Sequence, residues 1–99
     1  MLTLFIAAPG LAVAAELAPA QLFEIHCAGC HANGGNIVRW GKTLKLRALQ
    51  RNQVDSVAAI ANLITNGKNN MSAFGDRLSA AEIEALAVYV REQAERNWR

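Results

Sequence analysis

Cys27-Ala28-Gly29-Cys30-His31-Ala32 is the stretch on which the reading of this 99-residue chain turns. Its core is C-x-x-C-H, the pattern of a covalent c-type haem attachment. Two thiols three residues apart fall on one face of a helical turn, within reach of the two vinyl groups of one porphyrin. The imidazole of His31 follows directly, placed to become the proximal iron ligand. Two thioether bonds and one iron bond then come from a single short segment. A zinc site is a weaker reading. It needs about four ligands, and the chain's two cysteines and two histidines, His26 and His31, all lie inside six residues. A thioredoxin-type pair requires a βαβ surround, and none is visible. A plain Cys27–Cys30 disulfide leaves His31 without a role.

Composition bounds the rest. At 99 residues the chain is one small domain. It is 53% hydrophobic, yet a domain of this size buries only a modest share of its surface. A haem at the centre supplies much of the missing core. The net charge is +2, with acids and bases read as well mixed. That excludes a strong nucleic-acid footprint and allows weak electrostatic docking. Both cysteines are used by the haem, so no structural disulfide is expected.

Residues 1–15, MLTLFIAAPGLAVAA, are uncharged and apolar. Ala12-Val13-Ala14 or Val13-Ala14-Ala15 gives the small-residue pattern of a secretory cleavage site. The stretch is short for a bilayer span, and Pro9-Gly10 interrupts it. It reads as a signal peptide lacking a basic n-region, with the domain occupying 16–99; the alternative is an uncleaved anchor. Export agrees with covalent haem attachment, which takes place outside the cytoplasm.

Downstream, Pro19 suits a first helical turn, and a helix is predicted over 21–30 with Leu22, Phe23 and Ala28 inward. Asn33-Gly34-Gly35-Asn36 marks a turn, followed by Ile37 and Val38 as an apolar pair able to lie against the haem. Trp40 to Thr43 reads as loop. Residues 44–50 form a short predicted helix through Leu44, Leu46 and Leu49. A third helix is predicted over 55–65, where Val57, Ile60, Ala61 and Ile64 recur at helical spacing and Asn66-Gly67 ends it. Ser79-Ala80-Ala81-Glu82 is a capping box. It opens a last helix with Ile83, Leu86, Ala87 and Val90 as its apolar stripe and Glu82, Glu84, Arg91, Glu92, Glu95 and Arg96 as a solvated face. No strand-period alternation of any length occurs.

A six-coordinate iron needs a second axial group. Of the two methionines, Met1 lies in the signal stretch. Met71 stands forty positions after His31, behind the irregular run Asn66-Gly67-Lys68-Asn69-Asn70. A His31/Met71 pair raises the potential and suits electron transfer. His26 sits on the attachment segment itself and is read as exposed.

Taken together, these segments resemble the class I c-type cytochromes, and within them cytochrome c6. The resemblance spans about residues 19–98. It is carried by FEIHCAGCHA at 23–32, Asn36-Ile37-Val38, Lys42-Thr43-Leu44, Thr65 to Asn69 before Met71, Ala73-Phe74-Gly75, Arg77-Leu78, Tyr89-Val90 and Trp98. It implies an all-α cytochrome c fold, about four helices wrapped around one covalent haem c. It implies Cys27 and Cys30 as attachment points and His31 and Met71 as axial ligands, with Phe23 and Tyr89 at the crossing of the terminal helices. It also implies a monomer shuttling in the thylakoid lumen or periplasm, from the cytochrome b6f complex to photosystem I or a terminal oxidase. Lys68 and Arg77 match basic positions of the family, Arg77 being the better docking candidate.

Three positions depart from the pattern. Ser72 replaces the usual proline after the methionine, Pro19 a glycine, and Leu63 a glutamine near the haem. An apolar residue at that last position is similar to lower-potential c6-like members. The function expected is therefore one-electron carriage, without enzymatic turnover. A haem sensor or enzyme with a labile sixth ligand, and an anchored cytochrome subunit, are the alternatives.

Overall fold

The computed structural model describes residues 17–99. The signal-peptide reading of 1–15 lies outside the described residues. Among the described residues five helices follow in order: α1 (Pro19–His26), α2 (Ala28–His31), α3 (Leu46–Arg51), α4 (Val57–Asn66) and α5 (Ala80–Glu95), with short 3-10 turns at Ala32–Gly34 and Trp40–Lys42. The all-α reading holds. The one β-pairing among the described residues is an isolated Lys68–Met71 bridge.

α5 is the element on which α4 and α1 both pack. Its start is the reciprocal cap read from the sequence. Ser79 Oγ accepts from the Glu82 N–H at 3.0 Å, and Glu82 Oε1 accepts from the Ser79 N–H at 2.8 Å. Ile83, Leu86, Ala87, Val90 and Ala94 are buried on one face, Leu86 and Ala87 completely. The helix stripe thereby becomes the floor of the core, joined by Leu22 and Phe23 from α1 and Ile60 and Ile64 from α4. Burying such side chains contributes about 1.5–3 kcal/mol each.

Two helices differ from expectation. The helix predicted over 21–30 is broken at Cys27, whose φ of −123° caps α1 and starts α2 in a new direction. Arg91, expected in solvent, is half-buried. Its Nε donates to the Asp55 carbonyl, and its buried Nη1 lies 3.0 Å from Glu95 Oε2 as an ion pair without hydrogen-bond alignment. Arg91 thus ties α5 to the start of the α4 region.

The chain end returns to the middle of the molecule. Trp98 takes a positive φ of 58°, rare for a bulky residue. Its N–H donates to the Gln93 carbonyl at 2.8 Å, and its indole Nε1 donates to the Leu44 carbonyl at 2.9 Å. The ring packs 5.2 Å from Phe23 and 6.2 Å from Tyr89, and Phe23 lies 5.6 Å from Tyr89. Three aromatics, not the expected two, therefore lock the crossing of α1 and α5. Gly34 permits this: a Cβ there would meet the indole at 2.5 Å.

Candidate functional site

The Cys27–His31 segment is a short ledge. α2 holds Cys30 exposed and His31 half-buried, while Cys27 sits half-buried at the break between α1 and α2. Burial pushes the Cys27 thiol up to about 11, so at neutral pH it is a small uncharged group in the wall. His31 Nδ1 lies 2.7 Å from the Gly35 carbonyl. A carbonyl only accepts, so Nδ1 carries the proton and Nε2 keeps a free lone pair. That is the tautomer a metal-bound imidazole needs, and the carbonyl contact fixes the orientation of the ring.

Met71 is presented by a different device. α4 ends at Gly67, with φ of 69° and ψ of 178°, a region open essentially to glycine alone. The chain then closes a tight hairpin. The Lys68 N–H donates to the Met71 carbonyl at 3.1 Å and the Met71 N–H to the Lys68 carbonyl at 2.9 Å, with Asn69 at a φ of 54°, a conformation asparagine tolerates. Beyond it, the N–H groups of Phe74 and Gly75 donate to the carbonyls of Ile64 and Thr65 at 2.8 and 3.0 Å, satisfying carbonyls that a helix end leaves unpaired. The run expected to be irregular is thus pinned at both ends.

These segments meet around one cavity of about 370 Å³, lined by Cys27, Cys30, His31, Lys68 and Met71 together. Its volume falls within the range of roughly 300–1,000 Å³ common to small-molecule and cofactor sites. The buried floor is apolar: Leu49, Ile60, Ile64, Phe74, Leu86 and Val90. The rim includes the exposed Ile25, Cys30, Val38, Arg39, Lys42 and Ser72. Leu63 is a half-buried lining residue.

Several sequence readings change in detail. Val38 lines the cavity, but Ile37 does not and is 71% exposed. His26, read as exposed, is half-buried in the wall with its ring edge-on to Phe74 at 5.9 Å. Arg77 is not among the lining residues; its guanidinium stacks on the Phe74 ring at 4.2 Å. Sequence reasoning missed the polar lining supplied by Asn36 and Asn52. Asn36 Oδ1 accepts from the N–H groups of Val38 and Arg39 at 2.8 and 2.7 Å, and its Nδ2 donates to the Lys42 carbonyl at 3.0 Å. This Asx arrangement shapes the whole 36–42 rim. The signal was the asparagine in the turn cluster, but its partners lie up to six residues away.

Among the described residues no cluster of three His, Cys, Asp or Glu side chains is placed to hold a metal ion by itself. A protein-only metal site is absent there, while the thiols, imidazole and thioether around an apolar cavity suit a macrocycle. Residues 14–90 match the family model described as cytochrome c oxidase, cbb3-type, subunit III. A cytochrome c6-like protein of Nostoc sp. is 57% identical over 79 residues, covering 80% of this chain and 71% of the relative. Cytochrome c6 of Synechococcus sp. is 47% identical over 98 residues, 98% of this chain and 86% of that one. The crystal structure of cytochrome c6C from Synechococcus sp. PCC 7002 superposes with a TM-score of 0.77 at 62% identity, covering 79% of this chain and 95% of that chain.

The chain belongs to the cytochrome c6 family. As a member it is an electron carrier, not an enzyme, and carries a covalently bound c-type haem. The cavity of this cytochrome fits that group on its own observations. Two free thiols stand on one wall, His31 holds the metal-binding tautomer, and the floor is apolar. Of the described residues, no helix is long and apolar enough to cross a membrane.

Proposed function

We propose that Cys27 and Cys30 form the two thioether links and that His31 and Met71 are the axial ligands of a one-electron carrier. The haem supplies one-electron ferric–ferrous chemistry when bound. The single observation supporting the assignment is that both thiols, His31 and Met71 all line one apolar cavity, with His31 Nδ1 tied to the Gly35 carbonyl. Gly35 fixes the imidazole plane, and the Lys68–Met71 hairpin fixes the backbone that carries the thioether sulfur. Ile60, Ile64, Leu86 and Val90 keep water from the floor. Because both ligand-bearing segments are tied down before any change of charge, little need reorganise when an electron arrives.

The carrier works in the thylakoid lumen or periplasm after export, as a monomer. It takes electrons from the cytochrome b6f complex and gives them to photosystem I or a terminal oxidase. The family resemblance supports these partners and this location. Lys68, at the cavity rim, and Arg77, exposed beside Phe74, are docking candidates. A sensor or enzyme requires a labile sixth ligand, and the hydrogen-bonded hairpin at Met71 favours a retained one.

The test is Met71→Ala in the holoprotein. Haem stays attached, the methionine-to-iron charge-transfer band disappears, and the reduced variant binds carbon monoxide while the wild type does not. Retention of that band in the variant refutes the ligand assignment. Ready carbon monoxide binding by the wild type instead supports the sensor reading.

A further inference from the structure

Half of the ten bases, Arg39, Lys42, Lys45, Arg47 and Arg51, fall between residues 39 and 51, where there is no acid. All eight acids, with the other five bases, lie outside that segment. The net charge of +2 therefore hides a strongly segregated sequence, and the reading of charges as well mixed is corrected for this segment. The fold gathers these bases. Asn52 Nδ2 donates to the Gly41 carbonyl at 2.9 Å, and Lys42 Nζ donates to Asn52 Oδ1 at 3.2 Å. These bonds pin the Trp40–Lys42 turn to the C-terminal end of α3. Arg47 and Arg51 stand one turn apart on the exposed side of that helix. Arg39 and Lys42 are exposed as well, and Lys45 is half-buried.

Among the described residues the one ion pair is Arg91–Glu95, so none of the five bases has an acidic partner. Like charges one turn apart work against a helix. Inside the fold only the Lys42–Asn52 bond and the place of Arg51 in the last turn of its helix offset that cost. Beside it stand three exposed apolar side chains, Ile37, Val38 and Trp40, the last 88% exposed. Val38, Arg39 and Lys42 also line the cavity, so the patch is continuous with its rim. Tryptophan and arginine are the residues that most often anchor interfaces.

We propose that residues 37–51 form a docking surface for an acidic electron-transfer protein. A second copy of this chain is disfavoured there, because the basic surface repels itself. Continuity with the cofactor rim favours a redox protein over a polyanion or an anionic membrane, neither of which needs access to the cavity. The bases steer encounter over long range, and Trp40 supplies the short-range apolar contact. The inference rests on the electron-carrier reading but not on which complex is the physiological partner. It extends the docking surface from the cavity rim, where Lys68 also stands, along residues 37–51.

The experiment uses reduced plant-type ferredoxin, an acidic redox protein, as probe. One electron passes from its iron–sulfur cluster to the ferric holoprotein, followed by stopped flow from about 10 to 300 mM salt, a range over which the Debye length shrinks from roughly 30 Å to below 8 Å. The wild-type rate should fall about tenfold or more across that range. Arg47→Glu with Arg51→Glu, neither residue lining the cavity, should lower the low-salt rate by about tenfold and flatten or reverse the salt dependence. Arg47→Gln with Arg51→Gln should fall between the two. Arg96→Glu with Arg99→Glu makes the same change in net charge elsewhere and should cost less than about twofold. Trp40→Ala should slow transfer at every salt concentration with an unchanged salt slope.

Midpoint potentials equal to wild type show that driving force is constant. Equal losses in the two Glu double variants overturn the proposal, because net charge alone then explains the rate. Cosedimentation with phosphatidylglycerol vesicles that disappears in Arg47→Glu with Arg51→Glu overturns it in favour of a membrane surface. Wild-type protein that exchanges no electron at any salt concentration sinks the carrier reading instead.

Discussion

Gly67→Ala should dislodge Met71 from a distance of four residues. A Cβ at position 67 would stand 2.5 Å from the Met71 carbonyl oxygen, 2.8 Å from the Ala73 nitrogen and 2.8 Å from the Ser72 carbonyl carbon. All three are backbone atoms, so no side-chain rotation relieves the overlap. The native φ of 69° with ψ of 178° adds about 1–3 kcal/mol of strain for a residue with a Cβ. If the hairpin yields, the two Lys68–Met71 hydrogen bonds go with it, at about 1 kcal/mol each. The stiffer unfolded chain returns about 0.4–1 kcal/mol. The net loss is about 2–5 kcal/mol, equivalent to a Tm lower by roughly 10–40 °C for a domain of this size. Thermal melting of the ferric holoprotein measures the loss, and the methionine-to-iron band reports whether the sulfur still binds. The expected variant melts early and has a weakened or missing band. A Gly67→Ala protein with wild-type Tm and an intact band would refute the claim that close backbone approach at Gly67 sets the position of Met71.

Three further outcomes follow from other contacts. Leu63, a lining residue, is the position at which the chain departs from the usual family glutamine, so Leu63→Gln should raise the midpoint potential. The change should be about 1.5–3 kcal/mol, the scale of one hydrogen bond to a charged group, or roughly 65–130 mV for one electron; equal midpoints in a side-by-side titration would count against it. Trp98→Phe keeps the ring near Phe23 but removes the donor to the Leu44 carbonyl, and should cost about 1–3 kcal/mol in urea unfolding with the potential little changed. Cys27→Ala with Cys30→Ala removes both proposed attachment points, and should leave little stable holoprotein; recovery of a folded, haem-free double variant would contradict the account of the core.

The parts of this protein legible in its sequence are those encoded locally. C-x-x-C-H needs only one helical turn, so the spacing alone places two thiols and an imidazole on one ledge. The Ser79–Glu82 cap and the Ile83, Leu86, Ala87, Val90 stripe are periodic features of a single helix, and the structure reproduces them. Asn66-Gly67 as a helix stop is likewise chemistry of one residue, the φ available to glycine. Where neighbours distant in sequence decide an outcome, the reading falls short. Nothing local marks the break at Cys27 itself: the nearest poor helix former, Gly29, lies inside α2.

Long-range contacts account for the rest. Only the fold carries the Trp98 indole back to Leu44, fifty-four residues away, through a backbone conformation that its own side chain disfavours. Only the fold closes the cavity by setting α2, the 36–42 rim, α4 and the Met71 hairpin around one space. It alone draws Arg91 in from the solvated face to the Asp55 carbonyl, and it pins the Trp40–Lys42 turn beside α3 so that scattered bases become one surface. Sequence by itself determined the attachment ledge, the methionine available to it and the helical class, because each depends on bond lengths and periodicities within a few residues. Tertiary structure decided which side chains share the cavity, which tautomer His31 holds and where the charge collects, because those depend on the relative placement of helices, which hydrophobic burial around a common core imposes.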